Sequence, residues 1–297
     1  MEPITYYLSH PLKTCSLALT SLYTLLPDKL YLKLKYRAKM GKKLNLKNPQ
    51  TYTEKLQWLK LYDRKPKYTI MVDKYLAKKY VADQIGEEYI IPTLGVWDKF
   101  EDIDFEKLPN QFVLKCTHDS GGLVICKDKP KLDIEVARKK INKSLKRDFY
   151  LIGREWPYKN VPRKIIAEKY LTDESSHSSD LPDYKFYCFN GEVKIVLIAT
   201  NRFTTHNFNY VDTNFNPISL ISMEGKPNNE LEKKPECWDK MLEIARILSK
   251  DIIHIRVDLY TSGGKIYFGE LTFFDSSGYD DFGSEEWNKR LGSWIQL

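Results

Sequence analysis

The stretch IRVDLYTSGGKIYFGELTFF, Ile255 to Phe274, places one acid on each of two alternating apolar and polar runs joined by a glycine pair. That pattern reads as a β-hairpin. Side chains alternate along a strand with period two, so the loop length decides whether Asp258 and Glu270 share a face. A two-residue loop at Gly263-Gly264 would set Asp258 opposite Gly269 and turn Glu270 away. A three-residue loop, Gly263 to Lys265, sets Asp258 opposite Glu270 and Arg256 opposite Thr272. The glycines suit the longer loop, whose last positions need a left-handed conformation. Two opposed carboxylates destabilise a sheet unless a cation lies between them. With the Thr272 hydroxyl they form a hard oxygen set of the kind Mg²⁺ takes, and Arg256 on a solvated sheet face is the plainer partner.

Around this hairpin lie 297 residues, 42% apolar and 29% charged, which is enough for a sizeable globular core. The longest apolar-leaning run near the start, Cys15 to Leu26, is a dozen residues with hydroxyls in it, too short to cross a bilayer. No cleavage pattern for a leader follows it. The five cysteines form no CxxC pair, which argues against a zinc site and a secreted disulfide framework and for a cytoplasmic location. The net charge of +7 is uneven, because Lys29 to Lys47 holds eight Lys or Arg and no acid. This segment reads either as a solvated basic helix packed by its Leu and Tyr residues, or as a peripheral contact for anionic membrane or another polyanion such as a glycan. Nucleic acid is a weaker partner for it and is not expected.

Along the chain, the first fifty residues read as short basic helices. Thr51 or Thr53 caps a helix carrying Leu56, Leu59 and Tyr62, and a second helix runs from about Asp73 through Val81. EEYIIPTLGVW reads as a short strand ended by Pro92, and LPNQFVLKCTHDSGGLVICKDK as strand, glycine loop and strand. Asp133 caps the next helix, RKIIAEKYL is a strand, and Thr172 to Asp183 is an exposed loop. A hairpin turns at Asn190-Gly191, and CWDKMLEIARILSKD is a helix. The class is α+β with largely antiparallel strands.

Several of these pieces, in order, resemble the ATP-grasp superfamily of carboxylate-amine ligases, which includes D-alanine:D-alanine ligase. VDKYLAKKYV matches its Asp-Lys helix, FVLKCTHDSGG its strand and glycine loop, IIAEKYL its hinge strand, and RVDLYTSGGKIYFGELTFF its final metal-binding hairpin. TYTEKLQWLKLYDR, GEEYIIPTLGVWD and DYKFYCFNGEV look like the TupA-like branch, associated with cell-surface polysaccharide such as teichuronopeptide. The resemblance implies an ATP-grasp fold in which two α+β lobes hold the nucleotide, behind a basic helical segment at 1–50. The expected lobes are 51–108, 109–172 and 173–297.

The resemblance further implies that Lys74 and Lys115 bind ATP phosphates, with Lys185 a further candidate. The loop through Thr117, His118, Ser120, Gly121 and Gly122 would close over the phosphates, with His118 either touching phosphate or ordering the loop. Glu168, Lys169, Tyr170 and Leu171 would border adenine, and Asp173 or Glu174 the ribose. Asp258, Glu270 and Thr272 would hold Mg²⁺, although Thr272 stands where the family has Asn. Arg256 and Lys115 would be catalytic, stabilising charge on an acyl phosphate made from ATP and a carboxylate before an amine attacks. The implied substrates are a uronic acid and an amino acid or amino sugar. A rival reading is a metal-dependent glycosyltransferase acting on a nucleotide-sugar through Asp102-Ile103-Asp104, a lone triplet without a nucleotide-binding βαβ pattern around it.

Overall fold

The computed structural model describes residues 24–172, 181–200, 207–220, 227, 231 and 233–297. The basic segment forms one helix, α1 (Asp28–Met40), ended by Gly41 in the left-handed conformation. Its inward side chains Tyr31, Leu32 and Tyr36 are buried. Thr51 caps α2 (Tyr52–Tyr62) through a reciprocal capping box with Glu54, as the sequence predicts. A short helix, α3 (Lys67–Val72), precedes α4 (Leu76–Ile85). The expected helix start at Asp73 is therefore early by three residues. Asp73 instead acts as a cap, its carboxylate accepting from the amides of Tyr75 and Leu76.

The first sheet holds β1 (Thr93–Trp97), β2 (Phe112–Cys116), β3 (Leu123–Cys126) and β4 (Ile165–Lys169), in antiparallel order β1-β4-β2-β3. Pro92 opens its first strand rather than ending it, because proline has no amide to give a ladder. Between β3 and β4 come α5 (Ile134–Leu145), capped by Asp133, and α6 (Phe149–Gly153). One face of the sheet packs Phe112, Leu114, Cys116, Ile165 and Ala167 against Ala137 and Ile141 of α5. Period two then turns Lys115 and Glu168 to the other face.

The second sheet is β10-β9-β5-β6-β7-β8, also antiparallel. Its strands are β5 (Asp183–Phe189), β6 (Glu192–Thr200), β7 (Asn207–Val211), β8 (Pro217–Ile218), β9 (His254–Ser262) and β10 (Lys265–Thr272). The β5–β6 turn falls at Asn190-Gly191, both at positive φ. Helix α7 (Trp238–Ser249) covers one face, with Trp238 against Tyr184 and Phe186. Ile255, Val257 and Leu259 join that core, so Arg256 and Asp258 point the opposite way. The last helix, α8 (Glu285–Trp294), packs on α2. No described helix is long and apolar enough to cross a membrane.

The hairpin corrects the sequence reading in its cause and keeps its consequence. Lys265 pairs with Ser262, so the loop is the two-residue turn Gly263-Gly264, both at positive φ. A bulge between Phe268 and Glu270 then adds one residue to β10 and shifts the register. Beyond it Glu270 faces Asp258 and Thr272 faces Arg256. Gly269 makes the bulge: a Cβ there would sit 2.7 Å from the Tyr260 ring and 3.0 Å from the Asp258 carbonyl.

Candidate nucleotide and metal site

A cleft is lined by Lys74, Lys78, Lys115 and Glu168 on one side and by Phe268, Gly269 and Glu270 of β10 on the other. On the first side Glu168 is buried and forks between two cations, 2.5 Å from the ammonium of Lys115 and 2.5 Å from that of Lys78. Burial alone would raise its carboxyl, but Lys115 and then Lys78 outweigh that and hold it below the usual range. Lys78 also donates to the Ile91 carbonyl at 2.6 Å. The sequence reading missed Lys78, although it lies one helical turn beyond Lys74 in DKYLAK. Lys74 precedes α4 and donates to the Asp119 carbonyl at 2.5 Å, while its own amide bonds the Thr117 carbonyl. The Asp-Lys motif is thus tied to the glycine loop.

That loop is braced from below. The Asp119 carboxylate accepts from the Gly122 amide and from the Ser144 hydroxyl of α5. His118 is buried, and its Nε2 lies 3.2 Å from the carbonyls of Ser144 and Arg147. The structure brings His118 to the end of α5. Neither Gly121 nor Gly122 takes a positive φ; Gly122 is set by crowding, since a Cβ there would lie 2.6 Å from both Cys116 Sγ and Ser144 Oγ. Ser120 is exposed. Glu168 and Lys169 have their backbones in β4, paired with Thr93, Val113 and Phe112, and Tyr170 and Leu171 follow the strand end half-buried. Asp173 and Glu174 lie outside the described residues.

The second side is a dense ionic layer. Arg256 grips Asp258 through two bonds of 2.7 Å, reaches Glu270 at 3.1 Å and Thr272 at 3.3 Å, and pairs with Asp275. Lys185, across from Asp258 on β5, bonds Asp258 at 2.8 Å and Asp183 at 2.6 Å. Burial would raise the Asp258 carboxyl, yet Arg256 and Lys185 bring it down to about 2. Burial would equally lower Lys185, and its two carboxylates outweigh it and raise it. Arg256 and Lys185 thus tie Asp183, Asp258, Glu270 and Asp275 into one ionic network. Asp275, also bound by the Tyr187 hydroxyl at 2.6 Å, was not singled out by sequence, because it follows the hairpin without a motif of its own.

The donor chemistry here fits a hard divalent cation: two opposed carboxylates and a hydroxyl. Among the described residues no group of three or more His, Cys, Asp or Glu is arranged to hold a metal by itself, so phosphate oxygens or water would complete any such shell. The Asp102-Ile103-Asp104 triplet lies elsewhere: Asp104 is exposed and is spent capping a turn and pairing with Lys107.

Comparison with known proteins gives this arrangement its family. The model described as TupA-like ATPgrasp matches residues 54–296. The chain belongs to the TupA-like ATP-grasp family. Its two antiparallel sheets with helices are the α+β ATP-grasp fold expected from sequence. Among solved structures, it is similar to D-alanine–D-alanine ligase from Bacillus anthracis complexed with ATP (18% identity, TM-score 0.41, 69% of this chain and 54% of that one). It is likewise similar to the ATP-grasp ligase PsnB complexed with minimal precursor, Mg and ADP (11%, 0.38, 82% and 62%). A third is D-alanine–D-alanine ligase from Helicobacter pylori (13%, 0.40, 82% and 69%). The TupA-like chain spans little more than half the length of the first of these. No curated protein matches it.

Proposed function

We propose that this TupA-like protein is an ATP- and Mg²⁺-dependent ligase that joins a carboxylate to an amine through an acyl phosphate. The observation that carries the reading is the meeting of lysines and an acid across the cleft. Three lysines, Lys74, Lys78 and Lys115, converge with one carboxylate on the first sheet's side, and Glu270, bound to Arg256 beside Asp258, faces them from the second. A triphosphate with its metal has the matching pattern: phosphate oxygens toward ammonium groups and the cation toward Asp258, Glu270 and the Thr272 hydroxyl. Lys74 and Lys115 would neutralise the phosphates, and Lys185, held by two acids, would set the Asp258 carboxylate in place. The loop around Gly121 and Gly122 would cover the phosphates, and the end of β4 would border the base.

The chemistry then needs no protein nucleophile, since phosphoryl transfer is mostly positioning and charge stabilisation. A substrate carboxylate oxygen attacks the γ-phosphorus and ADP leaves. An amine next attacks the acyl carbon, phosphate leaves with the former carboxylate oxygen, and the amine loses a proton as the amide forms. Arg256 would stabilise negative charge on the acyl phosphate and on the carbonyl oxygen of the tetrahedral intermediate. The family resemblance suggests a uronic acid carboxylate and an amino acid or amino sugar, in surface polysaccharide biosynthesis inside the cell. The test is calorimetric titration of ATP with and without Mg²⁺, followed by phosphate release with paired carboxylates and amines. Mg²⁺-dependent ATP binding that Lys115→Ala abolishes is expected; binding of a nucleotide-sugar and not of ATP would overturn the reading in favour of the glycosyltransferase.

A further inference from the structure

Directly after the hairpin the backbone makes an uncommon turn. Ser276, Ser277 and Gly278 all have positive φ, at 48°, 53° and 68°. Two of the three are serine, and a β-carbon is disfavoured in that region, so the turn holds only where its surroundings over-determine it. Immediately before it stands Asp275, which binds Arg256 and the Tyr187 hydroxyl.

The surroundings are supplied by α2. Lys60, with no exposed surface, donates to the Gly153 carbonyl at 2.8 Å, the Ser277 carbonyl at 2.9 Å and the Ser277 hydroxyl at 3.1 Å. Its ammonium also lies over the rings of Phe274 and Tyr279, 5.5 and 5.1 Å from their centroids. One helical turn back, Gln57 donates to the Gly278 carbonyl at 2.9 Å. The Ser277 hydroxyl in turn donates to the carboxylate of the buried Glu155 at 2.7 Å. Burial lowers the Lys60 pKa to about 7, and the charge of the buried Glu155 beside the turn opposes that shift.

We propose that Lys60 is a positioning residue of the nucleotide site: its ammonium clamps the left-handed turn Ser276–Gly278, which fixes Asp275 and through it the far end of the Arg256 guanidinium. Asp258 holds one edge of that guanidinium from within the same strand, and among the described residues only Asp275 holds NH1 from outside the hairpin. Releasing the clamp lets Arg256 pivot about Asp258 toward Glu270. The proposal rests on the ligase reading for what Arg256 faces, while the clamp itself is readable without it.

The experiment is a double-mutant cycle of Lys60→Met, which keeps the apolar stem, and Asp275→Asn, read by Mg²⁺-ATP affinity and by amide exchange across 274–280. Each single variant is expected to weaken Mg²⁺-ATP binding by about tenfold, with the double variant no weaker than either. Exchange across the turn should quicken by about tenfold in Lys60→Met as the clamp is lost. Wild-type affinity and exchange in Lys60→Met, or losses that multiply in the double variant, would overturn the proposal. If the wild-type protein binds no Mg²⁺-ATP, the ligase reading falls and exchange alone decides the clamp. Should Lys60→Met fail to fold, Ser277→Ala removes the shared hydroxyl and carries the same readouts.

Discussion

Glu270 faces Asp258 across the hairpin only because Gly269 adds a residue to its strand. The two-residue turn taken alone would put Glu270 on the covered face of the sheet. A side chain at 269 meets the Tyr260 ring at 2.7 Å, so Gly269→Ala is expected to open or remove the bulge. The cost should be about 1–3 kcal/mol of stability, as for other overpacked sites, together with loss of Mg²⁺-dependent ATP binding. Urea unfolding and calorimetry check both, and retention of Mg²⁺-dependent binding would detach Glu270 from the metal role.

The two loop glycines should behave differently. A methyl group at 122 lies 2.6 Å from Cys116 Sγ and Ser144 Oγ, whereas at 121 its nearest neighbour is the tip of Arg147 at 3.3 Å, which can swing away. Gly122→Ala is expected to push the loop off α5, lowering both thermal stability and nucleotide affinity. Gly121→Ala should leave stability near wild type, a contrast that thermal-shift measurements with and without ATP read directly. Equal losses in the two variants would contradict the packing account.

Lys78 and Lys115 share one buried carboxylate, so removing either leaves Glu168 under-compensated. Lys78→Met is expected to cost about 3 kcal/mol, as breaking a buried ion pair does. Glu168→Gln in the same chain should recover part of that loss, because the uncompensated charge goes with it. Denaturant unfolding of the single and double variants gives the answer, and a double variant less stable than Lys78→Met would refute the charge account.

Much of this site was legible in the chain. Alternation placed Arg256 and Asp258 on one face, the family resemblance singled out Lys115 and Glu168, Asn-Gly fixed a hairpin, and Thr51 and Asp133 marked helix starts. What could not be read depends on three-dimensional crowding. A bulge and a longer loop give Glu270 the same partner, and only the approach of Tyr260 to Gly269 separates them. Lys60 looks like a surface helix lysine until Gly153 and Ser277, about a hundred and two hundred residues away in sequence, close over it. Lys78 likewise needs β4 beside α4 before its partner exists.

His254 gives the fold a proton-linked weakness. It is buried between Tyr52 and Phe189, with Nδ1 2.9 Å from the Cys188 carbonyl and Nε2 3.1 Å from the Tyr52 hydroxyl. Both ring nitrogens are satisfied when the imidazole is neutral, Nδ1–H donating and Nε2 accepting. Burial pulls its pKa from 6.5 down to about 4. Between those values the unfolded chain binds a proton that the folded chain refuses, so stability falls as pH drops from 6.5 toward 4. The loss from this one group is on the order of 3 kcal/mol at most. Asp258 acts in a lower window, its contribution fading as pH falls from 3.8 toward 2. Unfolding free energies measured from pH 7 to 4 should therefore decline in the wild-type protein and flatten in His254→Gln, whose amide keeps a donor and an acceptor but takes no proton. Parallel curves for the two proteins would assign the decline to other groups.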